Sequence, residues 1–259
     1  MRFLFIGDII GSVGIKLISR QLGKIKEDLS VDFTIANAEN SSNGRGVSAK
    51  SYYELKSCGI DVMTSGNHIW DNKETMDEID SFDDLVRPAN YPPGVPGVGF
   101  VELSYNGTKI TIVNLLGRVF MPPIDCPFRK FDEIYNEVSG SIILVDIHAE
   151  ATSEKSAFAS YVDGRASTVI GTHTHVQTND DRVLKGGTLY ITDVGMCGAL
   201  DSIIGVKTEG PIERFLRGVP KRFEVEKRGV MMLNGLFFDI DDNSQKIKEF
   251  KKINYLYNV

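Results

Sequence analysis

The chain has 259 residues, 42% of them apolar and 25% charged, a balance that suits one globular core and excludes disordered or fibrous classes. A formal charge of −6 disfavours an extended nucleic-acid-binding surface, although bound cations could still draw phosphate to an acidic site. Cys58, Cys126 and Cys197 stand far apart with no C-x-x-C pair, so neither a disulfide framework nor a thiolate zinc module is expected, and a reducing cytoplasm fits best.

The apolar opening, Met1 to Gly7, is interrupted by Asp8, which argues against a signal peptide, and no apolar run is long enough to span a bilayer. Arg2 to Ile6 predicts a buried strand, then a glycine turn, then a helix carrying Val13, Leu17, Ile18, Leu22, Ile25 and Leu29 at helical spacing. G-x-G-x-x-G and G-K-[ST] are both absent, and Asp8 at the turn would repel a pyrophosphate. A carboxylate there suits a cation, or else caps the turn or helix.

Asp32 to Ala36 predicts a second strand that empties into Asn37-Ala-Glu39-Asn40, where a carboxylate and an amide offer hard oxygen donors. Ser48 is expected to cap the next helix, with Tyr52, Leu55 and Tyr53 facing inward. Asp61 to Thr64 predicts a third strand ending at Gly66-Asn67-His68, where Gly66 would permit an unusual backbone and Asp71 would cap a helix. Residues 83–99 read as a surface connection, and Asn106-Gly107 marks a hairpin between Phe100–Leu103 and Lys109–Val113. From there a change to antiparallel strands is expected, with residues 115–130 as a long loop forming one wall of the site. Arg118, in that loop, is either a phosphate contact or a solvated arginine.

Ile142 to Ile147 predicts another strand leading to His148, with Thr152 or Ser153 capping the following helix. Ser167 to Ile170 leads into Gly171-Thr-His-Thr-His175, where a continued extended backbone would put His173 and His175 on one side, roughly 6.5–7 Å apart. Thr188 to Thr192 and Val230 to Ile240 are further strands. Arg214, Arg217, Lys221, Arg222, Lys227 and Arg228 lie among acids and read as a solvated face. Asp8, Glu39 and Asn40, Asn67 and His68, His148, and the His173/His175 pair thus all fall at or just past strand ends, where open α/β sheets form their ligand sites. All four histidines of the protein belong to this set, which has too many donors for one tetrahedral ion.

The order G-D, N-A-E-N, G-N-H, a lone His at a strand end, then G-T-H-T-H resembles the calcineurin-like metallophosphoesterases. Asn37-Ala-Glu-Asn40, Gly66-Asn-His-Ile-Trp-Asp71, His148-Ala-Glu-Ala-Thr-Ser-Glu-Lys155, Gly171-Thr-His-Thr-His-Val-Gln-Thr178 and Ile191-Thr-Asp-Val-Gly-Met196 resemble more narrowly the bacterial YmdB-type phosphodiesterases, over essentially the whole chain. The wider superfamily has G-D-x-H where this chain has Ile10, and Asn40 is the expected replacement donor. The resemblance implies an α/β fold: a single domain, 1–259, built as a four-layer α/β/β/α sandwich with two mixed central sheets. It further implies Asp8, Glu39, Asn40 and His175 around one ion, and Glu39, Asn67, His148 and His173 around another, with Glu39 bridging.

His68 would then donate a proton to the leaving oxygen, while a hydroxide held between the ions attacks phosphorus. Iron or manganese are the expected ions, with zinc or cobalt as alternatives. The implied substrates are 2′,3′- or 3′,5′-cyclic nucleoside monophosphates, and a homo-oligomer with no membrane association is expected. The competing readings are a phosphomonoesterase or nucleotidase with the same ions, and a metal-bound regulatory or RNA-associated protein with little turnover.

Overall fold

Strand β1 (Arg2–Ile6) buries both faces: Leu4 and Ile6 enter one hydrophobic cluster, Phe3 and Phe5 another. A strand with two apolar faces must sit between two layers, and that position organises the molecule. The computed structural model describes residues 1–138, 140–242 and 244–258.

After β1 the chain runs through β2 (Asp8–Ile9), α1 (Gly11–Leu29), β3 (Phe33–Asn37), α2 (Ala49–Ser57), β4 (Val62–Thr64), α3 (Lys73–Glu78) and β5 (Leu85–Val86). It continues through β6 (Phe100–Tyr105), β7 (Thr108–Leu116), α4 (Pro127–Glu137), β8 (Ile142–His148), α5 (Thr152–Val162) and β9 (Thr168–Thr172). The last elements are β10 (Arg182–Val183), β11 (Leu189–Ile191), β12 (Met196–Ala199), α6 (Glu209–Arg217), β13 (Val230–Ile240) and β14 (Ile247–Asn258).

The first sheet has the order β2-β12-β13-β1-β3-β4-β5, with β14 also paired to β13; β1, β3, β4 and β5 are parallel and β13 is antiparallel to β1. The second has the order β10-β11-β9-β8-β7-β6, parallel from β7 to β11 and antiparallel at both edges. Phe3, Phe33 and Phe238 meet Ile112, Ile142 and Leu144 between the sheets, and the rings of Phe3 and Phe238 stack at 5.2 Å. Helix α1 covers the outer face of the first sheet through Leu17, Ile18 and Leu22, while Phe131 of α4 and Phe158 of α5 cover the second. The result is the expected α/β/β/α sandwich with two mixed sheets.

Several local expectations fail for physical reasons. Beyond the hairpin, whose Asn106 and Gly107 both take positive φ, the strands return to parallel pairing because α4 and α5 supply the crossovers. Residues 115–130 are not one loop, since β7 runs to Leu116 and Pro127 starts α4. Within 83–99, Leu85 and Val86 form a buried strand. Tyr53 is exposed, Asn72 rather than Asp71 caps α3, and α5 has no side-chain cap.

Candidate metal centre

The parallel strands of both sheets end towards a shared cleft. From the first sheet come Asp8 in β2, Glu39 and Asn40 beyond β3, and Asn67 and His68 beyond β4; from the second come His148 at the end of β8, and His173 and His175 beyond β9. All eight residues singled out in the sequence join one contact network.

His148 is fully buried, and its Nε2 lies 3.0 Å from Glu39 Oε1, 3.0 Å from Asn67 Oδ1 and 3.0 Å from His173 Nδ1. What surrounds each ring fixes its tautomer. The Thr172 hydroxyl donates its single proton to Asp146 at 2.6 Å, so it accepts from His148 Nδ1 at 2.8 Å, and Nε2 turns a lone pair to the centre. Glu150 Oε2 lies 3.1 Å from His173 Nε2, a contact that favours the proton on Nε2 and leaves the Nδ1 lone pair facing inward. The Ile204 carbonyl accepts from His175 Nδ1 at 2.9 Å and so aims Nε2 at Asp8 and Asn40.

Glu39, Asn67, His148 and His173 therefore present four acceptors to one another, an arrangement that requires a proton or a metal cation among them. The ligand atoms of Glu39, His148 and His173 all lie within 4.8 Å of one another. A second locus adjoins the first. Asp8 Oδ1 is buried without a hydrogen-bond partner among the described residues and lies 3.7 Å from His175 Nε2. Asn40 turns its amide nitrogen to Glu39 at 3.2 Å and His175 at 3.1 Å; the same side chain rotated by 180° presents oxygen there instead. Carboxylate, imidazole and amide oxygen form a donor set that suits Mn, Fe or another divalent ion.

The expected extended H-T-H backbone is not observed. The strand stops at Thr172, and His173 and His175 take φ of +98° and +64°. Such conformations cost on the order of 1–3 kcal/mol each and need enforcement. Lys155 supplies it: fully buried, it donates to the Thr172 carbonyl at 2.6 Å and to Asp193 at 2.9 Å, while Asp193 accepts from Thr174 N at 3.0 Å and Oγ1 at 2.8 Å. His173 is thus clamped from both sides. Gly66 also differs from expectation, because it is required by space and not by backbone freedom: a Cβ there would lie 2.4 Å from Glu39 Oε2 and from His148.

Asp71 accepts from His68 Nδ1 at 2.9 Å, leaving His68 Nε2 at the cleft, 3.4 Å from the Asn67 amide. Glu150, Asp71, Asp146, Thr172, Lys155 and Asp193 were not among the expected site residues. Only the positions of Glu150, two residues after His148, and Asp71, three after His68, offered a local signal.

Burial pushes the Asp8 carboxyl up to about 7, against the pull of His175 and His148. Burial would also raise Glu39, but His148 and His68 outweigh it and hold it at about 2. For His148 the loss of solvent disfavours the charge, yet Glu39 and Asp8 overcome this and lift it to about 9. Burial and the neighbouring His148 lower His173 to about 3. Without metal, then, a proton on His148 occupies the place a cation would take.

The YmdB-like protein family model matches residues 4–253. This chain belongs to the YmdB-like family. It is 48% identical over 255 residues, 98% of this chain and 96% of the relative, to a 2′,3′-cyclic-nucleotide 2′-phosphodiesterase of Bacillus subtilis. The crystal structure of a phosphatase from Mycoplasma pneumoniae superposes with a TM-score of 0.94 at 39% identity, covering 99% of this chain and 93% of that one. The Haemophilus influenzae NAD nucleotidase shares the fold alone, with a TM-score of 0.52 at 12% identity over 99% of this chain and 56% of that one. The YmdB-like sandwich is thus a calcineurin-like metallophosphoesterase fold.

Two outcomes follow from this geometry. Gly66→Ala should weaken Mn²⁺ binding about tenfold or more in a calorimetric titration, since its methyl enters the acceptor cluster; unchanged affinity would contradict the crowding. Chelator-treated protein should lose thermal stability as pH rises. Asp8 and His148 both have folded values above their ordinary 3.8 and 6.5, so their stabilising contributions are lost through about 7 and about 9. Saturating Mn²⁺ should remove that decline; melting curves across this range check it, and a metal-free melting temperature that rises with pH would be the opposite of what is expected.

Proposed function

We propose that the chain is a dinuclear-metal phosphodiesterase that opens the cyclic phosphate of 2′,3′-cyclic nucleoside monophosphates. The observation that carries the metal-dependent part is the cluster of mutually facing acceptors, Glu39, Asn67, His148 and His173, beside Asp8 Oδ1, which has no hydrogen-bond partner among the described residues. The substrate class rests on the similarity to the Bacillus subtilis phosphodiesterase over almost the whole chain.

In this reading Asp8, Glu39, Asn40 and His175 hold one ion, and Glu39, Asn67, His148 and His173 hold the other. When bound, the ions supply positive charge at the phosphate and acidify water at the centre. Iron or manganese fits the donors best. The protein's own groups keep the imidazole lone pairs aimed inward through Thr172, Glu150 and the Ile204 carbonyl. His68 handles the leaving group as an imidazolium: Nδ1–H is donated to Asp71, and the second proton, on Nε2 facing the cleft, passes to the departing ribose oxygen. An alkoxide leaves poorly without it, and general acid catalysis is typically worth about 10²–10⁴ in rate.

The Mn²⁺-loaded protein is expected to hydrolyse 2′,3′-cyclic AMP and bis-p-nitrophenyl phosphate faster than p-nitrophenyl phosphate. Preference for the monoester would establish the phosphomonoesterase reading, and inertness toward all three would sink the enzyme. His68→Ala should keep its metal content but lose about 10²–10⁴ in kcat on the cyclic nucleotide. Its loss on bis-p-nitrophenyl phosphate, whose phenolate leaves unaided, should be much smaller; equal losses on both would remove the acid role.

A further inference from the structure

The chain carries 29 basic and 35 acidic residues, yet the cleft reached through His68 and His175 inverts that balance. This cleft, about 600 Å³ in volume, is lined by Arg45, Lys73, Arg214, Lys221 and Arg222 against a single carboxylate, Asp71. Its size lies within the roughly 300–1,000 Å³ range of ligand sites. Arg45 approaches Asp71 at 3.7 Å and Lys221 pairs with Glu213. Lys73, Arg214 and Arg222 have no ion-pair partner among the described residues, and Arg214 lies 5.6 Å from the centroid of the Phe223 ring on the cleft wall. Residues far apart in sequence, from the loop after β3, the start of α3, α6 and the segment after it, therefore place their cations around one opening.

A 2′,3′-cyclic mononucleotide has one negative charge, on the phosphate that the metal centre engages. The rest of it is a neutral nucleoside and has no use for unpaired guanidinium and ammonium groups. The geometry points to a subsite for a second, non-scissile phosphate in this cleft, so that the preferred substrate carries phosphate on the 5′ oxygen of the nucleoside whose cyclic phosphate is opened. The inference rests on the cyclic phosphodiester reading above. Arg222, Lys73 and Arg214 hold the added charge by charge-assisted hydrogen bonds, and the positive mouth steers polyanionic substrates inward. Such a phosphate is found on a 5′-phosphorylated cyclic mononucleotide or at the 3′ end of an RNA fragment terminating in a 2′,3′-cyclic phosphate.

The test compares kcat/KM of the Mn²⁺-loaded protein on 2′,3′-cyclic AMP, its 5′-phosphorylated form, and the dinucleotide ApA ending in a 2′,3′-cyclic phosphate. At least one of the latter two should exceed the first by about tenfold, an advantage that shrinks with salt. In the Lys73→Ala/Arg222→Ala double variant the ratio should fall towards one. Preference for the dinucleotide identifies RNA ends as the source of the phosphate, and preference for the 5′-phosphorylated mononucleotide identifies small nucleotides. A ratio near one in the unaltered protein, or an unchanged ratio in the variant, overturns the subsite. A binding measurement separates this outcome from failure of the reaction assignment. Adenosine 3′,5′-bisphosphate should bind about tenfold more tightly than adenosine 3′-monophosphate even if no cyclic phosphate is opened; equal binding rules the subsite out.

Discussion

A fully buried carboxylate facing lone pairs needs a positive charge among them, because the two neutral hydrogen bonds Glu39 accepts, from His68 N at 3.1 Å and Asn40 Nδ2 at 3.2 Å, do not replace its lost hydration. Glu39, facing His148, Asn67 and His173 across the junction of two sheets, imposes that requirement here. Each imidazole has its other nitrogen already committed, to Thr172, to Glu150 or to the Ile204 carbonyl. A neutral ring held this way turns a lone pair inward, so only an added proton or a cation can fill the centre.

The scaffold makes this possible by joining the sheets through polar groups where their strand ends meet. Asp146, buried in β8, accepts from Asn37 at 2.9 Å and Thr64 at 2.5 Å in the first sheet and from Thr172 at 2.6 Å in the second. The hydroxyl that completes this junction also sets the His148 tautomer, so sheet packing and ligand orientation are one arrangement. The Lys155–Asp193 pair does comparable work for the left-handed His173 loop. A buried ion pair often contributes little net stability; its clearer effect here is to hold a strained loop in one conformation.

The sequence revealed those features that follow from periodicity and from chemistry at strand ends. A short run dominated by β-branched residues, such as Ile142 to Ile147 with Leu144 and Asp146, reads as a double-faced strand, and donors immediately past such strands converge because parallel strands end at the same edge. The missed elements lack that signal. Strand β14 carries Lys248, Glu249, Lys251 and Lys252 among its apolar residues, β12 is only four residues with a glycine, and α6 leaves Phe215 and Leu216 exposed. The supporting residues were hidden for another reason. Lys155 and Asp193 are charged and distant in sequence, and only the fold shows that they share a buried contact. Of the dispersed cations after residue 213, Arg214, Lys221 and Arg222 line one cleft, a tertiary property that the sequence could not show.

We propose that the acceptor cluster and the adjoining Asp8 together hold two metal ions in place of a proton. Calorimetric titration of metal-free protein with Mn²⁺ near neutral pH, repeated in buffers of different ionisation enthalpy, tests it directly. Two ions per chain should bind with net proton release, because His148, lifted to about 9 in the empty centre, must surrender its proton to the incoming cation. Absence of binding, or binding with no proton released, would contradict it.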